Sequence, residues 1–290
     1  MIHPPPILFD RLRLRKRRVR AAPQFAQHDF LQRDVAVRIA ESLAFIARPL
    51  PLIVELGSHT GALSRELAIR PGTMHVIACD PTYAALQHQT RLRVVADEEW
   101  LPFAANSVDA VVSSLALHWV NDLPGTLAQI HRILKPDGLF MAVLPGGETL
   151  RELRAVFAAT ESARSGGVSP RVAPFIDIRD AGALLQRAQF ALPVADSDIV
   201  TITYPHLFAL MDDLRCNAQS NMLHARVRHF TPRGFFTDAA TRYYDQFRDQ
   251  ENRITATVEL ITITAWKPAA SQQQPAKRGS GKMSLTTFFE

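Results

Sequence analysis

Short apolar runs alternate with helix-like segments between residues 52 and 144, and this alternation constrains the fold more than any other feature of the sequence. The runs of strand length and β-rich composition are 52–56, 74–80, 92–97, 108–117 and 139–144. Amphipathic segments such as 122–134 lie between them. Strands that alternate with helices form a parallel sheet that is covered on both faces. We therefore predict a doubly wound α/β domain.

The rhythm changes after Pro145, where helical segments and a loop rich in glycine and proline replace the regular alternation. Strand-like sequence returns at 197–204 and 253–266. We predict three parts, which are a basic and helical amino-terminal segment, a main domain with a substrate lid, and a polar, low-complexity tail that is disordered. Their bounds are 1–48 for the segment, 49–266 for the domain, about 147–235 for the lid, and 267–290 for the tail.

Composition excludes several classes of protein. The chain has 290 residues and only two cysteines, Cys79 and Cys216, so neither a disulfide framework nor a zinc site built on cysteine pairs is expected. The histidines show no pairing at metal-ligand spacing, and no metal is expected. No apolar run approaches the roughly 18 residues that cross a bilayer, and the first residues lack the apolar centre of a signal peptide. We expect a cytoplasmic protein, or a mitochondrial matrix protein in a eukaryote.

The positive charge is concentrated near the amino terminus. The net charge is +5, and residues 11–20 hold seven of the lysine and arginine side chains. The rest of the chain is close to neutral, so a nucleic-acid partner is not expected. The basic run is either a solvated segment or an arm that docks an acidic partner. Because the predicted ligand site begins beyond residue 50, we expect the run to lie apart from it.

The sequence VELGSHTG (54–61) predicts a ligand-binding turn between the first strand and its helix. Gly57 and Gly61 frame the turn, where glycine lets the backbone pass close beneath a ligand. A phosphate-binding P-loop is excluded because no lysine follows the turn, and the dinucleotide fingerprint fails at His59 and Ala62. A ligand that resembles a nucleoside and lacks a pyrophosphate fits the remaining pattern.

Acidic residues also follow the second and third strands. Asp80 ends the second strand, where a carboxylate can accept hydrogen bonds from both hydroxyls of a ribose. Asp97 follows the third strand and can accept from an adenine amino group. Ligands of open α/β sheets bind at the carboxyl ends of the strands, so these side chains are expected to converge with Glu55 of the first strand.

These motifs together resemble the methyltransferase type 11 group of S-adenosylmethionine-dependent enzymes. The segments that carry the resemblance are VELGSHTG, CDPT, ADEEWLPF, VDAVVSSLALHWV and LKPDGLF, between about 50 and 145. The resemblance implies S-adenosylmethionine as cofactor and a Rossmann-like, seven-stranded, mostly parallel sheet with a helical lid. It implies contacts to the methionine part from Glu55, Gly57, Ser58, His59 and Gly61, to the ribose from Asp80, and to the adenine from Asp97 and Glu98. His59 stands where this group usually has the central glycine of its first motif.

A narrower resemblance covers nearly the whole chain. FDR (9–11), GGETLREL (146–153), GGVSPRVAPF (166–175) and YPHLFALMDDLR (204–215) are similar to the complex I assembly factor 5 family. That resemblance implies modification of a protein in respiratory complex I assembly, by hydroxylation of an arginine in an iron–sulfur subunit of NADH dehydrogenase. Two alternatives stay open. One is a small-molecule or carrier-protein O-methyltransferase, such as the malonyl-acyl carrier protein enzyme, and the other is a non-catalytic assembly chaperone.

The residues that would perform the chemistry are less clearly marked. His118 lies just past the fourth strand and can act as a base or orient a substrate, or else pack the edge of the sheet. Carboxylates in the lid can receive a guanidinium, because they match its planar fork. These are Glu148, Glu152, Asp177, Asp212 and Asp213.

Overall fold

A computed structural model describes residues 7–87, 89, 92–273 and 279–280. The helices are α1 (Arg11–Ala21), α2 (Phe30–Ala44), α3 (Ala62–Ile69), α4 (Tyr83–Leu86), α5 (Leu123–Ile133), α6 (Arg151–Ser165), α7 (Ile178–Arg187), α8 (Leu207–Cys216) and α9 (Arg233–Phe247). The strands are β1 (Leu52–Leu56), β2 (His75–Asp80), β3 (Leu92–Val95), β4 (Val108–Ser114), β5 (Leu134–Pro145), β6 (Ala191–Tyr204) and β7 (Ile254–Trp266).

The strands form one seven-stranded sheet in the order β3-β2-β1-β4-β5-β7-β6. The first five strands are parallel, whereas β7 runs antiparallel to both β5 and β6. This is the Rossmann-like class I methyltransferase fold, and it confirms the predicted doubly wound sheet. The order reverses between β1 and β4, so the carboxyl ends of β1, β2 and β4 open on a shared crevice.

Two apolar layers cover the sheet. One face packs against α2 and α3 through side chains such as Ile39 and Leu67, and the other packs against α5 and α7 through Ile130 and Leu185. The strand interiors are buried on both faces, which explains why β1 and β4 read as continuous apolar runs rather than alternating ones.

A third apolar cluster lies beyond the carboxyl ends of the strands. Helices α6, α8 and α9 pack around Tyr243, which is fully buried and donates a hydrogen bond to the Thr255 carbonyl. Within the range 147–235, β6 is a strand of the sheet and α7 packs on its face, whereas α6 and α8 belong to this outer layer. The lid and the other domain bounds stay predictions.

Several local predictions differ from the structure in their bounds. The helical amino-terminal segment contains α1 and α2, which a 3₁₀ turn at 25–27 separates, and β5 and β6 begin at Leu134 and Ala191 rather than at 139 and 197. The fourth strand ends at Ser114 rather than 117, because Leu115 takes a left-handed conformation. At the predicted tail, Lys267 binds the Leu134 carbonyl, and the remainder at 274–278 and 281–290 lies outside the described residues. No described helix is both long and apolar enough to cross a membrane.

Candidate functional site

The turn after β1 has the tight geometry that its glycines predict. Gly57 and Gly61 have φ angles of +73° and +78°, which L-residues rarely adopt. A side-chain carbon added at Gly57 would lie 2.0 Å from the Ala116 Cβ. The backbone there is therefore pressed against the loop that follows β4, and glycine is required by packing within the protein.

Glu55 is buried beneath this turn. Ser58 Oγ donates to Glu55 Oε2 over 2.8 Å, and Ser64 Oγ donates to the same oxygen. Burial raises the pKa of Glu55 to about 7, although both serines oppose the rise. The carboxyl group is thus held in place by α3 and the turn, and its charge is sensitive to pH near neutrality.

His59 occupies the position where the related enzymes usually have glycine. Its φ is +47°, its ring is buried, and it stacks on Phe25 with 5.1 Å between ring centroids. Burial and the nearby Arg18 lower its pKa to about 3, so the ring is neutral. Phe25 comes from the 3₁₀ turn before α2, and this turn brings the amino-terminal segment against the site.

The acidic residues that follow β2 and β3 converge as predicted. Asp80 is fully buried, and its Oδ1 accepts hydrogen bonds from the Thr82 backbone nitrogen (2.9 Å) and Oγ1 (2.8 Å). Glu98 is also buried, whereas Asp97 is partly exposed beside it. The structure thus brings Glu55, Asp80 and the pair after β3 to one edge of the sheet.

Helix α1 lies directly on these carboxylates. Arg18, which is 4% exposed, donates from Nη1 to Glu98 Oε1 over 3.0 Å and to Asp80 Oδ2 over 3.3 Å. Arg15 lies one turn before Arg18 and pairs with Asp97. Arg11 lies two turns before Arg18 and pairs with both Asp97 and Glu98. Although burial alone would raise the pKa of Glu98, the guanidinium groups of Arg18 and Arg11 lower it to about 2.

The expectation that the basic run lies apart from the ligand site is therefore wrong. Residues 11, 15 and 18 recur at helical spacing, so one face of α1 presents three guanidinium groups to the acidic crevice. Charge attraction between segments far apart in sequence places the helix there. The run is neither wholly solvated nor wholly available to a partner.

The space at the predicted cofactor site is small in this arrangement. Between Arg18, His59 and Phe25 the structure has a cavity of about 50 Å³, and beneath the turn one of about 10 Å³. Ligand pockets usually measure roughly 300–1,000 Å³. The carboxylates and glycines fit a nucleoside ligand in chemistry, but Arg18 of α1 lies on two of the carboxylates, and the Gln89 side chain hydrogen-bonds to Ser58 and to the His59 carbonyl in the turn.

A larger cavity of about 340 Å³ lies between the sheet and the outer helices. His118 lines it and shares Gln219 with Trp119, because His118 Nε2 and Trp119 Nε1 each lie 3.0 Å from Gln219 Oε1. Burial lowers the pKa of His118 to about 3, so its ring is neutral at ordinary pH. His118 therefore packs at the edge of the sheet and also faces a cavity, and its role as a base or in orienting a substrate stays a prediction.

The lid carboxylates do not form a guanidinium site. Each one interacts with residues of the chain itself, and none is among the described residues that line the large cavity. Glu152 accepts from Thr257, Glu148 pairs with Arg151, Asp177 caps α7, Asp212 pairs with Arg215, and Asp213 accepts from Tyr204 Oη and contacts His28. Because partners within the chain occupy these carboxylates, some nearby and some distant in sequence, the structure does not support the expectation that they receive a guanidinium. No group of described residues could hold a metal ion.

Comparison with known proteins agrees with this fold and extends across the chain. The methyltransferase domain model matches residues 54–142. The chain is 38% identical over 285 residues to mouse "Arginine-hydroxylase NDUFAF5, mitochondrial", covering 96% of this chain and 82% of the mouse protein, and 39% identical over the same shares to the human one. The chain belongs to the arginine-hydroxylase NDUFAF5 family.

The family's methyltransferase-type sheet is shared more widely. Malonyl-[acyl-carrier protein] O-methyltransferase of Xylella fastidiosa is 34% identical over 272 residues, which cover 91% of this chain and 90% of that protein. A candidate methyltransferase of Bacillus halodurans has a TM-score of 0.54 at 18% identity, covers 79% of this chain and 99% of its own, and shares the fold. The NDUFAF5-like chain is therefore a methyltransferase-fold member of a family whose named relatives are enzymes.

Sequence reasoning missed several residues of this site. Arg11 and Arg18 were visible as charges, and their spacing could have indicated one helical face. Ser64 and Gln219 carry no recognisable motif, and only the folded chain brings them to Glu55 and His118.

Proposed function

We propose that this chain binds S-adenosylmethionine and modifies an arginine of a protein partner, an iron–sulfur subunit of NADH dehydrogenase, during assembly of respiratory complex I. The observation that carries the proposal is the extent of the identity to the NDUFAF5 arginine hydroxylases, which covers 96% of the chain. The general methyltransferase model, by contrast, covers only 54–142. The mouse and human relatives are named as mitochondrial.

The proposed cofactor contacts follow from the chemistry of the acidic crevice. Asp80 would accept from the ribose hydroxyls, and Asp97 and Glu98 would face the adenine, once α1 has moved. Gly57, Ser58, His59 and Gly61 would pass beneath the methionine part, and Glu55 would lie near its amino group. In methyl transfer the cofactor would supply an electrophilic methyl group on a sulfonium, whereas in hydroxylation the added oxygen would come from molecular oxygen with an external electron donor. In either reaction the chain's part would be to position the partner beside the bound cofactor and to exclude water.

A second candidate is methyl transfer to a carboxylate, on a small molecule or a carrier protein. Its support is the lining of the 340 Å³ cavity, where the described residues include Arg13, Arg171, Arg215 and Arg226 and no carboxylate. A guanidinium substrate would be repelled by such a lining, whereas an anionic one would be attracted. The identity of 34% to the Xylella O-methyltransferase agrees with this candidate.

Intact-mass measurement of the partner separates these functions. The iron–sulfur subunit is incubated with the chain, S-adenosylmethionine, molecular oxygen and an electron donor, and peptide mapping then locates any change. A gain of one oxygen on an arginine of the subunit supports the first proposal, and a gain of one methyl on a malonyl-loaded carrier protein, incubated in parallel, supports the second. A subunit that binds the chain but stays unchanged, together with an unchanged carrier protein, would contradict both and favour a non-catalytic chaperone. The Asp80→Ala variant should lose either modification.

A further inference from the structure

The mouth of the large cavity carries a cluster of arginines that the proposed arginine modification does not use. Arg13 comes from α1, Arg215 from α8, and Arg226 from the loop before α9, and all three line the cavity. Arg17 lies one turn after Arg13, and its pKa is lowered by burial and by nearby cations that include Arg215 and Arg226. Three separate segments therefore bring guanidinium groups to one place.

The positive charge of this cluster is only partly balanced. Arg226 pairs with Asp10 over 3.0 Å, and Arg215 pairs with Asp212 over 2.6 Å. Within the described part of the chain, neither Arg13 nor Arg17 has a carboxylate at ion-pairing distance. The buried Nε of Arg13 also lacks a hydrogen-bond partner. Burial, Arg226 and Arg17 lower the pKa of Arg13, as expected for like charges held close together.

Most of the remaining cavity wall is apolar, although Arg171 and a few polar side chains also line it. Its wall includes Leu153 and Phe157 of α6, Met211 of α8 and Val258 of β7. The volume of about 340 Å³ lies within the roughly 300–1,000 Å³ that is usual for small-molecule pockets. The neutral His118 and Gln219 contribute polar atoms at one side of the wall.

We propose that this cavity binds a single-chain anionic amphiphile, with its anionic end at Arg13 and Arg17 and its chain along the apolar part of the wall. The apolar wall accounts for the chain, and the unbalanced guanidinium groups account for a carboxylate or phosphate headgroup. A cationic ligand would be repelled at the mouth, and a neutral one would leave Arg13 unpaired. The inference uses the cavity and its charges alone, so it does not depend on the proposed arginine modification.

Calorimetric titration of the full chain tests this with defined probes. Decanoate and decyl phosphate supply the two headgroups, decanol lacks the charge, hexanoate shortens the chain, and inorganic phosphate lacks the chain. We expect both ten-carbon anions to bind, and decanol and hexanoate to bind at least tenfold more weakly. Equal binding of decanol, binding of inorganic phosphate as tight as decyl phosphate, or no binding of either ten-carbon anion would overturn the proposal.

Variants locate the bound molecule. The double variant Arg13→Gln with Arg17→Gln should weaken decanoate at least tenfold, whereas Lys16→Gln on the same helix should change it less than twofold. Met211→Trp fills the cavity and should also weaken decanoate at least tenfold, with the melting temperature as a check on folding. If Lys16→Gln matches the double variant, the attraction is only that of a basic surface and the proposal fails. The hexanoate comparison decides the role of the cavity wherever Met211→Trp is unstable.

Discussion

Replacing Arg18 with glutamine tests whether α1 and the cofactor compete for the same carboxylates. Arg18 donates to Glu98 over 3.0 Å and to Asp80 over 3.3 Å, and a ligand at Asp80 must displace at least the second contact. Hydrogen bonds to charged groups contribute roughly 1.5–3 kcal/mol each. We expect the cofactor to bind more tightly by about 1.5–3 kcal/mol, which is roughly 13- to 160-fold in affinity.

The same change should destabilise the cofactor-free protein. Removing one partner of a buried ion pair costs roughly 3–5 kcal/mol. Asp80 keeps its two hydrogen bonds from Thr82, and Glu98 keeps Arg11, so we expect the lower end of that range. A loss of about 3 kcal/mol corresponds to a fall of roughly 6–12 °C in melting temperature. The variant should therefore be less stable and yet bind more tightly.

Calorimetric titration with S-adenosylhomocysteine on the wild type, Arg18→Gln and Lys16→Gln measures the affinity. Lys16 is exposed on the same helix, so its variant controls for the loss of a positive charge. Limited trypsin digestion supplies a second measurement, because the arginines of α1 should be cleaved faster when ligand is bound. Unchanged or weaker binding in Arg18→Gln, or a helix that ligand protects from trypsin, would show that α1 assists binding instead of competing.

Two further predictions concern the turn beneath the cofactor site. The pKa of Glu55 is raised from 4.5 to about 7, so the folded state favours the protonated carboxyl group more than the unfolded state does. The free energy of unfolding should therefore fall by about 3 kcal/mol as the pH rises from 4.5 to 8. Urea denaturation across this range should show the slope in the wild type and not in Glu55→Gln, and a slope that persists in the variant would refute the assignment. His59→Gly should keep the fold and cofactor binding, whereas Gly57→Ala, whose new carbon would lie 2.0 Å from Ala116 Cβ, should lose about 3 kcal/mol. Equal urea midpoints for these two variants would contradict this account of the turn.

The sheet and the acidic edge could be predicted because each rests on local sequence. A strand, a turn and a helix follow one another within about 20 residues. The local sequence is therefore enough to place Asp80 at the end of a strand, without information about the rest of the chain. The sequence predicted that the backbone at Gly57 approaches another group closely, but not which group. Sequence indicated a close approach to a ligand, whereas the structure shows a close approach to Ala116, which lies 59 residues further along the chain.

The position of α1 could not be predicted because it depends on charge pairs between distant segments. Arg18 and Asp80 are 62 residues apart, and Arg11 and Glu98 are 87 apart. A run of arginines shows its charge in the sequence but not the carboxylates that attract it. For two of the lid carboxylates the prediction failed because of short-range pairs instead: Glu148 and Asp212 each pair with an arginine three residues away.

Helix α1 links the predicted cofactor site and the apolar cavity. Arg18 pairs with Glu98 in the acidic crevice, and Arg13 lines the apolar cavity. A cofactor that displaces the helix should therefore carry Arg13 away from the amphiphile. Coupling of this kind is reciprocal, so each ligand should weaken the other by the same factor, about tenfold for roughly 1.4 kcal/mol. Titration of decanoate with and without saturating S-adenosylhomocysteine, and the reverse titration, measures both factors. Equal decanoate affinity in the two titrations, with S-adenosylhomocysteine shown to be bound, would mean that the helix does not move as a unit between the sites.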